Sequence, residues 1–344
     1  MKKELLLWCF VGALIIVGLV AAMWPSALAQ ITVDASHALE APTMPASDVL
    51  FVGDIMLDRT VADHAREVGD QALFAGVQDL FAASHLRIGN LEGTITDNKS
   101  IAEVDHSTLR FTFAPKYAQL LGEVGFDALS SANNHSLDFG EDGYQQTRQN
   151  LSTAGIASFG SALNNEHLAV MLKVQGRELC VVGYMQLFNP DPTAVIQKIK
   201  DIRSQCDYIV VTPHWGVEYQ HEPTAAQVDL AHQFIDAGAD IIIGGHPHVV
   251  EPLEIYKGKA IFYSLGNFLF DQAFSPQVLR GLTVGITFED SATKFTLVPV
   301  NTFQEVSIAD ATTTQATLED VVTPNLAADI GNSILTTGTF ELVK

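Results

Sequence analysis

Apolar runs of strand length alternate with segments of helical periodicity along the first two thirds of the chain, and this alternation limits the folds available to it. Helical spacing of apolar residues recurs at 71–84, 114–125, 141–155, 192–203 and 224–238. Strand-like runs lie between these segments, which predicts an α/β fold. From residue 249 the pattern changes to consecutive strands, and we expect a second sheet that is mostly antiparallel.

Polar residues follow five of the predicted strands at the point where each strand ends. Glycine precedes the polar residue in three of the five, which allows close approach of the backbone. The carboxyl ends of strands in α/β sheets meet at the edge where ligands bind. We therefore expect a binding site there. The residues concerned are Asp54, Asn90, Glu92, Asn134, His135, His214, His246 and His248.

Each of these short stretches also has an ordinary structural interpretation. A Gly-Asp pair at a strand end is usually a turn. His214 beside Trp215 is typical of a buried, hydrogen-bonded histidine, Asn134 of a helix cap, and Glu92 of a solvated loop. The coincidence of all five stretches at one edge favours a metal site. Mixed oxygen and nitrogen ligands without cysteine suit Mn²⁺, Fe or Zn²⁺.

The first 29 residues have the features of an export segment. Lys2 and Lys3 precede an uncharged run at 5–24 that is long enough to span a bilayer, and residues 27–29 offer a small-x-small cleavage site. The segment is therefore a signal peptide or a membrane anchor, and the length of the run favours the anchor. In either case we expect the rest of the chain outside the cell, anchored at the membrane or secreted after cleavage near Ala29.

The remainder divides into three parts. Residues 30–47 are rich in Ala, Pro, Ser and Thr and are predicted to form a linker. Residues 48–303 contain no internal repeat and are predicted to form one domain. Residues 304–344 form a C-terminal extension to which the sequence assigns no role.

The net charge of −21 excludes nucleic acid as a partner, because nucleic-acid binding needs clustered Lys and Arg. An anionic substrate requires a local positive centre such as a metal ion. The chain has no G-x-S-x-G elbow, P-loop or dinucleotide-binding glycine motif. Cys180 and Cys206 each adjoin an apolar run, which favours two buried thiols, although an exported protein could pair them.

Six ordered stretches carry a family resemblance. They span about residues 48–285 and read FVGDIMLDR, IGNLEG, SANNHSLDFG, VTPHWGVEY, GGHPHVVEPLE and FYSLGNFLFDQ. In these stretches the chain resembles the CapA family of poly-γ-glutamate capsule synthesis proteins, which are similar to calcineurin-like metallophosphoesterases. The resemblance implies a four-layer α/β/β/α sandwich.

The resemblance also implies roles for individual residues. Asp54 and His248 would bind a first metal ion. Asn134, His214 and His246 would face a second ion, and His135 would be the catalytic acid near the leaving group. Asp54 would thus belong to both the metal and the catalytic sets.

The chain departs from the phosphoesterase pattern at two positions. Met56 stands where those enzymes have a histidine, and Asn90 stands where they have a metal-bridging aspartate, for which Glu92 could compensate. We therefore expect either one or two divalent ions. Asn267 and Arg280 lie in or just past the last stretch and are predicted to bind substrate, with Arg280 available to a carboxylate or phosphate.

Two functions follow from these observations. The first is an exported, metal-dependent hydrolase acting on a phosphoester or on the amide bonds of an anionic polymer such as poly-γ-glutamate. The second is a non-catalytic, membrane-tethered component of a polymer synthesis or export complex. The retained histidines favour the first, and the departures at Met56 and Asn90 favour the second.

Overall fold

The computed structural model describes residues 44, 46–102 and 104–343. The predicted export segment and nearly all of the predicted linker lie outside these residues. Within the described part of the chain, no helix is both long enough and apolar enough to cross a bilayer.

The described residues form seventeen β-strands and eight α-helices. The strands are β1 (Ser47–Ile55), β2 (Ser84–Leu91), β3 (Thr94–Ile95), β4 (Thr112–Phe113), β5 (Ala128–Ser130), β6 (Ala157–Phe159), β7 (Ala169–Val174), β8 (Arg177–Met185), β9 (Tyr208–His214), β10 (Ile241–Ile243), β11 (Leu253–Tyr256), β12 (Lys259–Phe262), β13 (Asn267–Leu269), β14 (Arg280–Phe288), β15 (Ala292–Asn301), β16 (Ser307–Ile308) and β17 (Thr339–Val343). The helices are α1 (Arg59–Val68), α2 (Gln78–Ala82), α3 (Lys116–Val124), α4 (Gly140–Thr153), α5 (Thr193–Ile202), α6 (Ala225–Ala237), α7 (Ala311–Val321) and α8 (Ala328–Thr337).

These elements form two main sheets. The larger has nine strands in the order β16-β15-β14-β1-β2-β5-β6, with β13 also paired to β1 and β17 to β15. The smaller has six strands in the order β11-β12-β10-β9-β8-β7. Parallel pairing runs through β1, β2, β5 and β6 in the larger sheet and through β8, β9, β10 and β12 in the smaller. The predicted α/β class is confirmed.

The prediction of a mostly antiparallel second sheet is wrong. The late strands β14 to β17 extend the larger sheet, where β14 pairs antiparallel with β1, and β11 and β12 extend the smaller one. The first strand of a parallel sheet leaves one edge of backbone N–H and C=O groups unpaired. The late strands supply the partners for that edge.

Three hydrophobic layers hold the two sheets and their helices together. On β1, Val49 and Phe51 belong to the core between the sheets, and Leu50 and Val52 belong to the core beneath α1, α2 and α3. This alternation follows from the two-residue period of a strand. A third core joins the outer face of the smaller sheet to α5 and α6. The order of layers is therefore helix, sheet, sheet, helix.

The segment after residue 303 takes part in this packing. Leu318 of α7 and Ile334 of α8 are buried in the core between the sheets. Phe340 of β17 stacks on Phe295 of β15, with ring centroids 4.6 Å apart. Residues 304–343 therefore complete one edge of the layered structure.

The prediction of two free thiols is wrong. Cys180 on β8 and Cys206, just before β9, form a disulfide. These parallel strands pair in register, with Cys180 opposite Ile209. The sequence places each cysteine beside an apolar run but does not show that the two runs are neighbours, which the pairing of the strands decides.

Candidate metal centre

The ends of β1 and β2 bring two carboxylates and an amide together. Asp54 and Asn90 stand opposite each other on these parallel strands, and Glu92 lies just beyond β2. Both carboxylates are fully buried. Asn90 Nδ2 donates to Asp54 Oδ1 at 2.8 Å and lies 3.4 Å from Glu92 Oε2. The amide group therefore holds the two carboxylates side by side.

The smaller sheet supplies three imidazoles. His214 is the last residue of β9, and His246 and His248 lie in the turn after β10 with φ angles of +95° and +60°. Gly245 lets this turn approach the larger sheet, because a Cβ atom there would lie 2.8 Å from Asp54 Oδ1. The His246 backbone N–H then donates to Asp54 Oδ2 at 3.1 Å.

The two halves of the site meet at short range. His248 Nδ1 lies 3.6 Å from Asp54 Oδ2, and His248 Nε2 lies 3.6 Å from Glu92 Oε1. His214 Nδ1 lies 4.0 Å from Asp54 Oδ1, and the rings of His214 and His246 are 4.8 Å apart between centroids. The structure thus brings together six of the residues that the sequence predicted as metal ligands, namely these five and Asn90.

Two asparagines orient the histidines. Asn134 Oδ1 lies 2.7 Å from His214 Nε2, and Asn267 Oδ1 lies 2.9 Å from His248 Nδ1. An amide oxygen only accepts hydrogen bonds, so each of these ring nitrogens is the donor. The opposite ring nitrogens are then unprotonated acceptors. His248 Nε2 faces Glu92 Oε1, and His214 Nδ1 lies 3.4 Å from the Asn90 Nδ2 donor. Such an outer hydrogen bond is typical of metal-binding histidines.

Asn134 and Asn267 therefore have placements that the sequence did not indicate. Asn134, predicted as a metal ligand, directs its oxygen to His214. Asn267, predicted to bind substrate, is fully buried and also donates to the carbonyl oxygen of Val278 at 3.2 Å. Both side chains set the direction of an imidazole.

Possible ligand atoms fall into two groups of three. One comprises Asp54, Glu92 and His214, and the other comprises Glu218, His246 and His248. Within each group the ligand atoms lie within 4.8 Å of one another. Glu218 was not predicted from the sequence. Its one signal was its position four residues after His214 in the stretch HWGVEY.

Burial sets the protonation of the cluster. Burial raises the pKa of Asp54 to about 6, although hydrogen bonds from Asn90 and His246 act to lower this pKa. Burial and the nearby charge of Asp54 raise the pKa of Glu92 well above its usual value. Burial likewise lowers the pKa of His246 to about 4 and that of His248 to about 3. The imidazoles are therefore neutral near pH 7, which is the form that binds metal.

These donors fit a divalent cation. Glu92 Oε1 and His246 Nδ1 are buried and have no hydrogen-bond partner. Buried polar atoms are normally paired, so two such atoms in one cluster indicate a missing partner. A cation would satisfy both atoms and would favour the charged form of both carboxylates. The set of carboxylate and imidazole donors without thiolate suits Mn²⁺, Fe or Zn²⁺.

His135 lies beside the cluster. Its Nδ1 lies 2.8 Å from Asp138 Oδ2, and its Nε2 lies 3.9 Å from Glu92 Oε1. The ring packs on Phe111, with centroids 4.4 Å apart. Asp138 also accepts the backbone N–H of Phe111 at 2.7 Å. These contacts fix the ring with Nε2 toward the site.

Arg59 is a cation at the site that the sequence did not indicate. Its guanidinium pairs with Asp271 and lies 4.8 Å from the centroid of the Phe111 ring. Its Nε is buried without a hydrogen-bond partner. Arg59 begins α1 with φ of +50°, in the left-handed region, and this placement depends on a turn that the sequence pattern does not specify.

Arg280 and Met56 lie outside the ligand cluster. Arg280, predicted to bind substrate, pairs with Asp320 of α7 at 2.6 Å and joins the C-terminal segment to β14. Met56 is fully buried in the core under the helices, and its sulfur accepts the Asp58 N–H at 3.0 Å. Neither side chain is among the candidate metal ligands.

Comparison with known families agrees with this geometry. Residues 48–272 match the model of the bacterial capsule synthesis protein family PGA_cap, which is more than half of the chain. The chain belongs to the PGA_cap family. The matched range contains every candidate metal ligand described above, and the resemblance found in the sequence is confirmed.

Two relatives are about one third identical to the chain over the aligned residues. The PGA biosynthesis protein CapA of Bacillus subtilis (strain 168) is 35% identical over 245 residues, which is 65% of this chain and 63% of that protein. The capsule biosynthesis protein CapA of Bacillus anthracis is 33% identical over 247 residues, which is 65% of this chain and 60% of that protein. The chain thus spans less than two thirds of the length of these relatives.

Similarity to solved structures is weaker. A crystal structure of a candidate 5′-nucleotidase from Staphylococcus aureus aligns with 76% of this chain and 53% of that chain, at 13% identity and a TM-score of 0.42. At that score the likeness supports no conclusion about fold or activity.

Proposed function

We propose that this PGA_cap protein is an exported, metal-dependent hydrolase of the metallophosphoesterase type that acts in poly-γ-glutamate capsule synthesis. The family match and the two CapA relatives support the capsule role. The helix, sheet, sheet, helix order of layers supports the metallophosphoesterase type. The substrate is an amide bond of the anionic polymer or a phosphoester formed during its synthesis.

One observation carries the catalytic part of the proposal. Two buried carboxylates, Asp54 and Glu92, lie within 4.0 Å of ring nitrogens of His214 and His248 that come from the other sheet. A cluster built only for stability would pair these groups with cations or hydrogen-bond donors. Here Glu92 Oε1 has no hydrogen-bond partner. The arrangement therefore suits one or two divalent ions.

When bound, such an ion lowers the pKa of a water molecule so that hydroxide is available near neutral pH. Asn134 and Asn267 hold the two imidazoles in the tautomer that leaves a lone pair toward the site. Burial excludes bulk water from the carboxylates and strengthens their electrostatic interactions.

His135 supplies the acid in this proposal. Asp138 accepts a hydrogen bond from Nδ1–H and orients the ring, so that Nε2 can deliver a proton to the leaving group. Arg59 supplies positive charge beside the same ring stack, where an anionic group of the substrate can bind. The proposal assigns no role to Arg280, whose guanidinium pairs with Asp320.

A non-catalytic role is the second candidate function. Asn90 places an amide N–H₂ group between the two carboxylates, where a bridging carboxylate would hold two ions together. With that bridge lost, the pocket could bind polymer without hydrolysing it. The protein would then be a membrane-tethered component of a synthesis and export complex.

The test is elemental analysis of the purified full chain beside a His246→Ala/His248→Ala variant. We expect one or two equivalents of Mn, Fe or Zn in the wild type and loss of metal in the variant. A His64→Ala/His106→Ala variant is the control, because both of these histidines lie away from the cluster and contact surface carboxylates. Absence of metal from the wild type after incubation with excess Mn²⁺ would refute the hydrolase and favour the tethered role.

Export is tested separately. In intact cells, added protease should degrade the protein if the domain is outside the membrane. A variant lacking residues 1–29 should be protected. If the full chain is protected from the protease, export is contradicted. The proposal of a metal centre does not depend on this result.

A further inference from the structure

The loop after β9 places an acidic side chain beside the histidine turn. Glu218 lies on this loop, and its carboxylate falls within 4.8 Å of ligand nitrogens of both His246 and His248. Glu218 is exposed, whereas His246 and His248 are each 3% exposed. Glu218 is thus the exposed member of a three-residue group whose other two members are buried.

Hydrogen bonds between the loop and the turn fix Glu218 relative to the histidines. The Trp215 N–H donates to the Gly245 carbonyl at 3.2 Å, and the Tyr219 N–H donates to the Pro247 carbonyl at 2.8 Å. The Tyr219 ring also stacks on His248, with centroids 6.0 Å apart. The loop is therefore tied to the turn on both sides of Glu218.

An independent observation indicates that a ligand is missing from this group. His246 Nδ1 is buried without a hydrogen-bond partner, and the side chain is almost entirely shielded from solvent. No protein donor among the described residues reaches this nitrogen. A cation held between Glu218, His246 and His248 would satisfy it.

The two ligand groups also differ in charge. Asp54, Glu92 and His214 contribute two carboxylates, whereas His246 and His248 alone contribute none. A dication held only by neutral imidazoles lacks an anionic ligand, and Asn90 is an uncharged amide that adds no negative charge. Glu218 supplies a negative charge to this second group.

We propose that Glu218 is a ligand of a second divalent ion, together with His246 and His248, and that it replaces the anionic charge absent at Asn90. This rests on the metal centre of the proposed function and adds a specific claim to it. The protein would hold two ions in separate three-residue sets, without a shared carboxylate.

Calorimetric titration of the metal-free full chain with Mn²⁺ tests the assignment. We expect two equivalents in the wild type. In Glu218→Gln the weaker or second equivalent should be lost or should bind at least tenfold more weakly. Glu222→Gln, which removes an exposed acid from the same loop, is the control and should keep both equivalents.

Electron paramagnetic resonance of Mn²⁺ gives a second measurement. The spin-coupled spectrum of a close pair should be present in the wild type and replaced by a single-ion spectrum in Glu218→Gln. Circular dichroism checks that the variant remains folded, as expected for an exposed position.

Two results would overturn the assignment while leaving the proposed hydrolase standing. One is identical Mn²⁺ binding by Glu218→Gln and the wild type, whether of one equivalent or two. The other is an equal loss in Glu222→Gln, which would show an effect of surface charge alone. Failure of the wild type to bind any Mn²⁺ would instead refute the proposed function together with this inference.

Discussion

Glu251→Gln should remove a large part of the pH dependence of folding stability. Glu251 is 1% exposed, and its Oε2 accepts a hydrogen bond from Gln227 Nε2 at 2.8 Å, whereas Oε1 has no partner. Burial raises the pKa of Glu251 to about 8. The hydrogen bond from Gln227 lowers this pKa, and the nearby charge of Glu222 raises it further. The folded protein therefore keeps this carboxyl group protonated through neutral pH.

The sign of the effect follows from proton binding. The unfolded chain releases this proton near pH 4.5 and the folded chain near pH 8. Between these values the folded state binds more protons, so the free energy of unfolding falls as pH rises. Each pH unit is worth about 1.4 kcal/mol, which gives a loss of roughly 2–3 kcal/mol between pH 5 and pH 7.

The measurement is urea unfolding at pH 5 and pH 7 in the presence of a chelator. The wild type should lose about 2–3 kcal/mol more between the two pH values than Glu251→Gln does. Glu341→Gln, which removes an exposed acid on β17, should behave as the wild type does. The carboxylates and histidines of the metal centre titrate in all three proteins, so their contribution cancels in the comparison.

A small difference would refute the reasoning. If the wild type and Glu251→Gln change in parallel to within about 0.5 kcal/mol, the carboxyl group is ionised in the folded state and burial does not control it. A steeper loss in Glu251→Gln than in the wild type would reverse the sign and contradict the argument outright.

Three further outcomes are expected. His135→Gln should keep its metal, as measured by elemental analysis. Its kcat should fall roughly 10²- to 10⁴-fold, because the substitution removes a proton donor without removing a metal ligand. An unchanged kcat would exclude His135 as the acid. Gly245→Ala should displace the Asp54 carboxylate, because its Oδ1 would lie 2.8 Å from the new Cβ. The variant should bind Mn²⁺ more weakly and should lose about 1–3 kcal/mol of stability in urea unfolding. Mn²⁺ affinity equal to that of the wild type would show that the turn can move. Replacing Cys180 and Cys206 with alanine should lower the free energy of unfolding by about 3 kcal/mol, because the disulfide closes a loop with a sequence separation of 26 residues. If the wild type is equally stable with and without reductant, the disulfide bond is contradicted.

Much of the site could be predicted because its ligands follow strands. Asp54, His214 and His246 come directly after apolar runs, and the carboxyl ends of parallel strands meet at one edge. The sequence therefore predicted which side chains would gather there. It also predicted the family, through six ordered stretches that contain these strand ends.

The remaining features depend on contacts that a linear pattern does not contain. Asn267, at the start of β13, orients His248, and its position in the sequence does not indicate this contact. Glu218 approaches the histidines only because two backbone hydrogen bonds join its loop to theirs. Arg280 forms an ion pair with Asp320, 40 residues further along the chain. In each case a distant partner decides the placement of the side chain.

The division of the donors between two sheets has a further consequence. The carboxylates of Asp54 and Glu92 belong to the larger sheet, and the imidazoles of His214, His246 and His248 belong to the smaller. Any substitution that lets one sheet slide over the other, even deep in the core at Val210 or Phe262, would separate the donors without touching them. Metal occupancy therefore depends on the relative position of the two sheets, and a bound ion would hold the two sheets together.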